Sequence, residues 1–375
     1  MNNRPTKVIH YYARFGEHRS GVTESIATWL RIASAEYPTE LWMAPLRHRV
    51  VHRDLRVVRG LDTEISEVPH LGRRRPTYLP LLPWWRIRRG DIFVVHEGWV
   101  LSNTVAVAIA RARGAVCIGV PHGVYEPQLT ETMRDLLGVR RLVERMTLRG
   151  LDRLHVFYSS EAELAEAVAG RGIPSGAFPN PAPPVAPTAA WNRDGADDYY
   201  LWLGRFDVKH KGLDRLVELW ATLDAPRPRL VLAGPDVDGG KAVVRGLIEK
   251  LGLRGTVSMR DSVDGAEKAE LIRRAAGYVH PSRWESCSMI LNEMVAVGVP
   301  SLVTEGIHAA EPMRRAGVVT TYADSTSFRA GLTRLRGSGV GGQPQRERAL
   351  AFSEAVVGDS YRRWLRETIV ERGDR

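Results

Sequence analysis

The sequence predicts two doubly wound α/β domains, each with a parallel sheet covered by helices on both faces. Short apolar runs alternate with amphipathic segments along most of the 375 residues, a proline-rich stretch interrupts this alternation near residue 180, and the alternation then resumes. Apolar runs without polar alternation are typical of parallel strands that are buried on both faces. Repeated strand–helix units therefore favour an α/β fold, and the chain is long enough for two such domains.

In the first half of the chain the pattern predicts strands at 7–12, 91–95, 115–119 and 154–157, and helices at 21–35 and 102–113. The stretch from about 45 to 90 gives no clear pattern. Prolines between 173 and 198 exclude a helix or a central strand there and indicate a connection between domains.

After this connection, strands are predicted at 199–203, 230–232, 256–258, 278–280 and 301–303, and a helix at 353–372. The predicted division is a first domain 1–180, a second domain 181–350 and a helical tail 351–375 that packs on the first domain.

The composition is that of an ordinary globular protein, with 44% apolar and 26% charged residues. No run of about 18 apolar residues predicts a membrane span, and residues 1–5 lack the core of a signal peptide. The two cysteines, Cys117 and Cys287, argue against a disulfide framework or a zinc cluster. We expect a cytoplasmic protein.

The formal charge of +10 is concentrated in two segments that also carry apolar residues. One runs from Arg73 through Trp84 and Trp85 to Arg89, and the other spans 134–149. Arginine beside tryptophan suits contact with anionic lipid headgroups at the inner face of a membrane. The alternative, which the composition favours, is an Arg-rich proteome with a solvated helix face. Nucleic acid is not expected, because no recognised binding motif accompanies the charge.

Two polar clusters follow predicted strands of the second domain, at the sheet edge where open α/β sheets bind ligands. In the first, Gly204, Arg205 and Lys211 lie in a turn before a predicted helix. Cations beside free helix N–H groups suit a diphosphate, and glycine permits close approach to the backbone. A solvated basic turn is the alternative.

The second cluster contains Glu285, the small residues Ser286, Cys287 and Ser288, then Met289 and Glu293. The backbone N–H groups of the small residues would face an anion at the start of a helix. Glu285, in the turn, would accept hydrogen bonds from sugar hydroxyls, and Glu293, about two turns further on, would bind a ribose diol. Alternatively, Glu285 caps the helix and Glu293 is a surface acid.

Candidates in the first domain are less specific. His122 follows a strand and precedes a glycine, so its side chain has room to project, although a lone histidine is usually structural. Gly16 lies in a loop that is flexible enough to surround a phosphate. His96, Glu97 and Trp99 follow another strand and are candidates for acceptor binding.

Together these motifs resemble those of glycosyltransferase family 4, over about 115 to 305 and in the expected order. The residues that carry the resemblance are Gly204-Arg205, Lys211-Gly212, Glu285, Glu293 and Pro121-His122-Gly123. The resemblance implies a GT-B fold with two domains facing a cleft and a C-terminal helix crossing back to the first domain. Before residue 115 only the strand–loop–helix opening is similar, with glycines at Gly16 and Gly21.

The resemblance also implies roles for these residues. Arg205 and Lys211 would neutralise the donor diphosphate, Glu285 would contact the transferred sugar, Glu293 the ribose, and His122 the sugar near its reacting carbon. Those implied to take part in catalysis are His122, Glu285, Arg205 and Lys211. The implied donor-binding residues are Gly204, Arg205, Lys211, Glu285, Ser286, Cys287, Ser288, Met289, Glu293 and Gly16.

The implied activity is transfer of a hexose with retention of configuration, in polysaccharide biosynthesis. The donor would be a UDP- or GDP-linked sugar acting as co-substrate, without a cofactor or metal, and the acceptor a glycan, a lipid-linked glycan or a small molecule. Ser286 and Ser288 stand where the family often has glycine, so the identity of the sugar does not carry over. The alternatives are an epimerase or phosphorylase on the same fold, and a catalytically silent subunit that binds nucleotide sugars.

Asp236 and Asp238 resemble the acidic metal-binding pair of the other glycosyltransferase fold. Because they stand between Gly234-Pro235 and Gly239-Gly240, they predict a turn with a helix cap instead.

Overall fold

The structure is a computed structural model that describes residues 5–16, 20–45, 58, 60–71, 79–131, 138–184, 190–192, 199–337 and 341–373. It contains two compact units: unit 1 is Met1–Asn180 with Val357–Arg375, and unit 2 is Pro181–Val356. The basic run 73–75, part of the predicted basic segment at 134–137, and the proline-rich residues 185–189 and 193–198 lie outside the described residues.

Unit 1 is built on a parallel sheet. Its strands are β1 Val8–Tyr11, β2 Thr39–Met43, β3 Thr63–Glu67, β4 His70–Leu71, β5 Leu79–Pro80, β6 Ile92–His96, β7 Val116–Val120, β8 Arg153–Val156 and β9 Ser175–Ala177. Seven of them form one sheet in the order β3-β2-β1-β6-β7-β8-β9, with every pair parallel, whereas β4 and β5 form an antiparallel pair. The four strands predicted in this half are confirmed to within one residue at each end.

The helices of unit 1 that precede unit 2 are α1 Gly21–Ser34, α2 Leu101–Ala112, α3 Pro127–Thr130, α4 Val139–Gly150 and α5 Ser159–Ala169, with a 3-10 turn at Trp84–Arg86. Helix α1 begins at Ser20, whose side chain accepts a hydrogen bond from the Thr23 N–H while the Thr23 side chain accepts one from the Ser20 N–H. This reciprocal cap satisfies backbone donors that a helix start otherwise leaves unpaired.

Unit 2 repeats the architecture. Its strands are β10 Tyr199–Leu203, β11 Arg229–Ala233, β12 Val257–Arg260, β13 Gly277–His280, β14 Ser301–Thr304 and β15 Thr320–Tyr322. They form one parallel sheet in the order β12-β11-β10-β13-β14-β15. The helices are α6 Val208–Lys211, α7 Leu213–Ala221, α8 Gly240–Lys250, α9 Gly265–Arg273, α10 Met289–Val297, α11 Ala310–Arg315, α12 Ser325–Leu335 and α13 Gly342–Ala349, followed by a 3-10 turn at Leu350–Phe352.

The last helix, α14 Glu354–Gly373, leaves unit 2 and packs on unit 1. The Tyr361 ring lies 4.7 Å from the Trp29 ring, and the Trp364 ring lies 5.4 Å from the Phe178 ring, between centroids. Leu365 is fully buried. Apolar burial therefore holds the end of the chain on unit 1, as the predicted fold requires.

Each unit has its own apolar core, which includes Trp42 and Phe93 in unit 1 and Trp202 and Trp220 in unit 2. Parallel strands place all their carboxyl ends at one edge of a sheet, which is where ligands bind in open α/β sheets. Because β1, β6 and β7 are neighbours, and β10 and β13 are neighbours, the loops that follow them meet at those edges. Among the described helices none is long and apolar enough to cross a membrane.

Candidate active site

In unit 2 the loops after β10 and β13 bring an ammonium and a carboxylate together. Lys211 Nζ donates a hydrogen bond of 2.5 Å to Glu285 Oε2, although the two residues are 74 positions apart in the chain. Each of the two side chains is 14% exposed to solvent, so the pair is largely buried but within reach of a ligand. The structure thus joins the two polar clusters that the sequence indicates.

Glu285 is surrounded by groups that stabilise its charge. Ser282 Oγ donates to Glu285 Oε2 over 3.4 Å, and the Nε2 atoms of His210 and His280 each lie 3.9 Å from the same oxygen. Burial alone would raise the pKa of the Glu285 carboxyl, but the Lys211 ammonium and then the two imidazoles lower that pKa to about 2. At neutral pH Glu285 is therefore an ionised group that can only accept hydrogen bonds.

The two histidines were not predicted from the sequence as site residues. Burial, together with the charges of Lys211 and His210, lowers the pKa of His280 to about 4 against the opposing effect of Glu285. The pKa of His210 is also lowered, first by burial and then by Lys211, and its ring stacks on Trp284 at 4.9 Å between centroids. Both imidazoles are therefore neutral at pH 7. His280 directly precedes Pro281 at a strand end, which is a signal that the sequence offered.

Backbone contacts fix the two loops against each other. Gly212 has a φ of 64°, and a Cβ atom placed there would lie 2.2 Å from the Pro281 carbonyl oxygen, so only glycine fits. The Arg283 N–H donates to the His210 carbonyl at 3.0 Å, and the Arg283 guanidinium holds both oxygens of Asp214 at 2.8 and 2.7 Å. The position of Lys211 beside Glu285 is therefore set by the scaffold.

The basic residues after β10 lie on a helical turn, α6, instead of in an open turn. Asp207 caps it by accepting a hydrogen bond of 3.1 Å from the His210 N–H, and the helix expected near Gly212 begins as α7 at Leu213. The Arg205 side chain is exposed, and the described contacts give it no hydrogen bond. At Gly204 the close backbone approach comes from the loop after β11, since a Cβ atom at Gly234 would lie 1.7 Å from the Gly204 carbonyl oxygen.

The start of α10 is capped by Ser288, whose Oγ accepts a hydrogen bond of 3.3 Å from the Leu291 N–H. The alternative in which Glu285 caps this helix is therefore wrong. Ser286, Cys287 and Met289 are half-buried beside this helix start. Further along, Glu293 Oε2 pairs with Lys268 Nζ of α9 at 2.5 Å, and Lys268 is a neighbour that the sequence analysis missed.

The acidic pair after β11 forms part of a turn. Asp236 Oδ1 accepts a hydrogen bond of 2.9 Å from the Lys241 N–H near the start of α8, and Asp238 has a φ of 49°. In the described parts of the chain, no group of three or more His, Cys, Asp or Glu side chains is arranged to hold a metal ion.

In unit 1, His122 lies in the loop after β7 with a φ of 56° and is half-buried. Its Nε2 is 2.9 Å from His96 Nδ1, and His96 Nε2 is 2.9 Å from His10 Nδ1. His10, which the sequence analysis did not single out, thus connects with His122 through His96. The lone histidine of the sequence is the end of a hydrogen-bonded chain.

The acceptor-side candidates His96 and Trp99 are buried, so direct contact with an acceptor does not fit them. The Trp99 backbone N–H donates to Glu144 Oε2 at 2.5 Å, and its indole N–H donates to the Val124 carbonyl at 2.9 Å. Glu97 is half-buried and accepts a hydrogen bond of 3.1 Å from Arg14. Gly16 is buried at the end of the turn after β1, and residues 17–19 lie outside the described part.

The two doubly wound units, with polar groups at the carboxyl ends of their strands, are those of the GT-B fold of glycosyltransferases. Residues 188–334, all within unit 2, match the family model described as glycosyl transferases group 1. A search of curated protein sequences gives no match.

Solved structures of this fold align with the whole chain. Sucrose-phosphate synthase from Thermosynechococcus elongatus has a TM-score of 0.73 and 16% identity, covering 98% of this chain and 100% of that one. HepE from Anabaena in complex with UDP has a TM-score of 0.71 and 10% identity, with 96% and 100% covered. HepE in complex with UDP-glucose gives 0.69 and 12% identity, with 98% and 100% covered.

Proposed function

We propose that the protein is a retaining, metal-independent glycosyltransferase that moves a hexose from a UDP- or GDP-linked sugar to a glycan, lipid-linked or small-molecule acceptor. The observation that carries the proposal is the ionised Lys211–Glu285 pair at the carboxyl ends of β10 and β13. The match of residues 188–334 to group 1 glycosyl transferases supports glycosyl transfer. The complexes of the similar HepE with UDP and UDP-glucose support a nucleotide sugar as donor.

In this proposal the Lys211 ammonium, which has three N–H donors and gives one to Glu285, offers the others to the donor diphosphate. Arg205 adds a second, exposed cation. Glu285 accepts hydrogen bonds from the sugar hydroxyls, and the N–H groups at the start of α10 face the phosphates. Stabilisation of the charge on the departing diphosphate by groups that are already in place lowers the barrier to transfer.

The remaining roles follow the same chemistry. Glu293, held by Lys268, accepts from the ribose hydroxyls. His122 is proposed to contact the sugar, and Gly16 is proposed to take part in donor binding. A pair of carboxylates acting as general acid and base, as in glycosidases, is not required.

The experiment is a transfer assay of the full chain with a panel of UDP and GDP sugars and mixed acceptors. We expect Glu285→Gln to lower transfer by about 100-fold, the usual effect of losing one group that stabilises the transition state. Glu311→Gln is the matched control: Glu311 is also ion-paired, and hydrogen bonds from Arg314 and Arg315 lower its pKa to about 2 as well. It lies on α11, and its loss should leave transfer unchanged.

The same assay separates the alternatives. We expect the product to keep the anomeric configuration of the donor and transfer to persist in EDTA. An inverted product would contradict retention, and loss of activity with EDTA would contradict metal independence. A changed stereocentre without acceptor would favour an epimerase. Sugar binding with no turnover, and no effect of Glu285→Gln, would favour a silent subunit.

We also propose that unit 1 contacts membranes peripherally, which would bring a lipid-linked acceptor within reach. Trp84 and Trp85 are 52% and 64% exposed, and the Arg113 guanidinium lies 5.3 Å from the Trp84 ring centroid. On α4, Val139, Leu142 and Met146 are exposed at helical spacing beside several arginines. Exposed apolar residues next to arginine suit anionic headgroups. Arg86 is instead paired with Glu40 and Glu64.

This proposal is tested by co-sedimentation with phosphatidylcholine vesicles that contain or lack phosphatidylglycerol. Binding should require the anionic lipid and decrease in Trp85→Ser and Leu142→Ser. Leu350→Ser is the control, because Leu350 is 62% exposed in unit 2. Binding that is insensitive to anionic lipid would contradict the proposal.

A further inference from the structure

Three histidines form a continuous chain of hydrogen bonds at the carboxyl edge of the unit 1 sheet. They come from β1, β6 and the loop after β7, which are neighbours in the sheet. The two N···N distances, His10 Nδ1 to His96 Nε2 and His96 Nδ1 to His122 Nε2, are both 2.9 Å. Each contact needs one proton, so the proton positions of the three rings depend on one another.

The surroundings keep these rings neutral. His10 and His96 are buried, and burial is the largest effect lowering the pKa of each ring in the chain. The next effect is the charge that His155 would carry for His10 and His122, and that His10 would carry for His96. The pKa values of His10 and His122 fall to about 3. A neutral imidazole has one N–H donor and one nitrogen that accepts.

Three neutral rings with two shared contacts allow two proton arrangements. In the first, His10 donates from Nδ1 to His96, and His96 donates from Nδ1 to His122, so the proton of His122 is on Nδ1. In the second, both hydrogen bonds run the other way, and the remaining proton is on His10 Nε2. Any mixture would leave one contact without a proton or with two.

His10 Nε2 decides between them. This atom is buried and has no hydrogen-bond partner among the described residues. The first arrangement leaves an unpaired acceptor there, and the second leaves an unpaired N–H donor. In protein backbones, orphaned buried N–H groups are rarer than under-satisfied acceptors, and the same asymmetry favours the first arrangement.

We propose that His96, whose Nε2 is hydrogen-bonded to His10, is a positioning residue that places the proton of His122 on Nδ1, so that His122 presents an N–H donor to its ligand. Such a donor can bind oxygens that carry no hydrogen, such as a sugar ring oxygen or a phosphate oxygen, which an accepting nitrogen cannot. The φ of 56° at His122 and the edge contact of its ring with Phe157, at 5.3 Å, fix the direction of the ring. The identity of the ligand rests on the proposed function, whereas the proton position does not.

The test is long-range ¹H–¹⁵N correlation NMR of the full chain labelled with ¹⁵N-histidine, with the His122 signals assigned as those lost in His122→Asn. We expect the neutral Nδ1–H form of His122 at pH 7. His96→Asn, whose amide nitrogen can donate from near the Nδ1 position, should keep this form, and His96→Phe, which removes the donor to His122 Nε2, should give a mixture of both. His155→Phe is the control, because His155 is buried in the same unit and bonds to the Phe178 carbonyl, outside the chain.

An Nε2–H or charged His122 in the unmodified protein would overturn the proposal, as would an unchanged Nδ1–H form in folded His96→Phe. If His96→Phe does not fold, the unmodified protein and His96→Asn decide the matter. In transfer assays His96→Phe should lower kcat/KM by about tenfold, the effect of one lost hydrogen bond, with recovery in His96→Asn. Absence of any transfer would contradict the proposed function and leave the NMR result standing.

Discussion

Two largely buried carboxyl groups, Glu285 in unit 2 and Glu144 in unit 1, have pKa values shifted in opposite directions. Burial raises the pKa of Glu285, but the Lys211 ammonium in contact with it outweighs this effect, and the pKa falls to about 2. Glu144 accepts hydrogen bonds from the Tyr125 hydroxyl and the Trp99 N–H, and burial raises its pKa to about 7 despite them. An ammonium in contact thus outweighs desolvation, whereas neutral donors do not.

The difference separates the proposed ligand site from a structural one. Glu285 is charged and partly exposed, and its partner Lys211 has donors to spare. Glu144 is buried and holds the segment after β6 in place, where Glu97 and Trp99 have φ values of 60° and 63°. A Cβ atom at Gly98 would lie 2.6 Å from Glu144 Oε1, so Glu144 packs directly against this strained segment.

The largest expected effect comes from Gly212→Ala, which disrupts the contact between the two loops that carry Lys211 and Glu285. Left-handed backbone and the approach of 2.2 Å to the Pro281 carbonyl should together lower the free energy of unfolding of unit 2 by about 3 kcal/mol. Denaturant unfolding measures this. Gly252→Ala is the control, because Gly252 has a φ of 66° and no atom within 4 Å of the added Cβ. Equal losses in the two variants would show that the loop contact is unimportant.

The second prediction concerns Glu144→Gln. The pKa of Glu144 is raised from 4.5 to about 7 in the folded protein. The protonated carboxyl therefore stabilises the fold at low pH, and this stability is lost as pH rises from about 4.5 to about 7. Glutamine does not titrate. The variant should therefore gain on the order of 2 kcal/mol relative to the unmodified protein between pH 5 and pH 8. The buried histidines titrate equally in both proteins and cancel in the difference.

A pH-independent difference between these two proteins would mean that Glu144 is already ionised in the fold. The contrast between the raised pKa of Glu144 and the lowered pKa of Glu285 would then not hold.

The third and smallest prediction has the opposite sign. The pKa of Glu285 is lower in the fold, so its charge contributes stability above the unfolded pKa, and that stability is lost as pH falls toward 2. The advantage of the unmodified protein over Glu285→Gln should therefore shrink by about 2 kcal/mol between pH 6 and pH 3, slightly less than the change expected for Glu144→Gln. Thermal unfolding at matched pH values measures it. An advantage that grows on acidification would contradict the assignment of Lys211 as the stabilising cation.

Much of unit 2 could be predicted from the sequence because its site is formed by two short loops. Unbroken apolar runs identify the strands, and the residues that follow β10 and β13 include Lys211 and Glu285 themselves. What the pattern lacks is sheet order, which decides that these two strands are neighbours. The pattern also does not show which helices are neighbours. Lys268 was therefore not predicted as the partner of Glu293, because it lies on another helix, 25 positions earlier.

Unit 1 was harder to predict because its site depends on residues that are distant in sequence. His10 and His96 are 86 positions apart and meet only because β6 inserts beside β1. The sequence therefore showed a lone His122 and could not show that His96 lies behind it. Trp99 follows a strand, as binding residues often do. It is nevertheless buried, and its backbone and indole N–H groups donate hydrogen bonds to Glu144 and to the Val124 carbonyl. Hydrogen bonds of this kind have no local signature.

The most direct test of the account is calorimetric titration of the unmodified protein, Lys211→Met and Lys250→Met with UDP-glucose and a GDP sugar. Lys250 is an exposed lysine at the end of α8 and serves as the control. We expect one of the donors to bind the unmodified protein and Lys250→Met equally, and Lys211→Met at least about tenfold more weakly, because a charge-assisted hydrogen bond to phosphate is lost. Equal binding by Lys211→Met would contradict the assignment of the diphosphate to this ammonium.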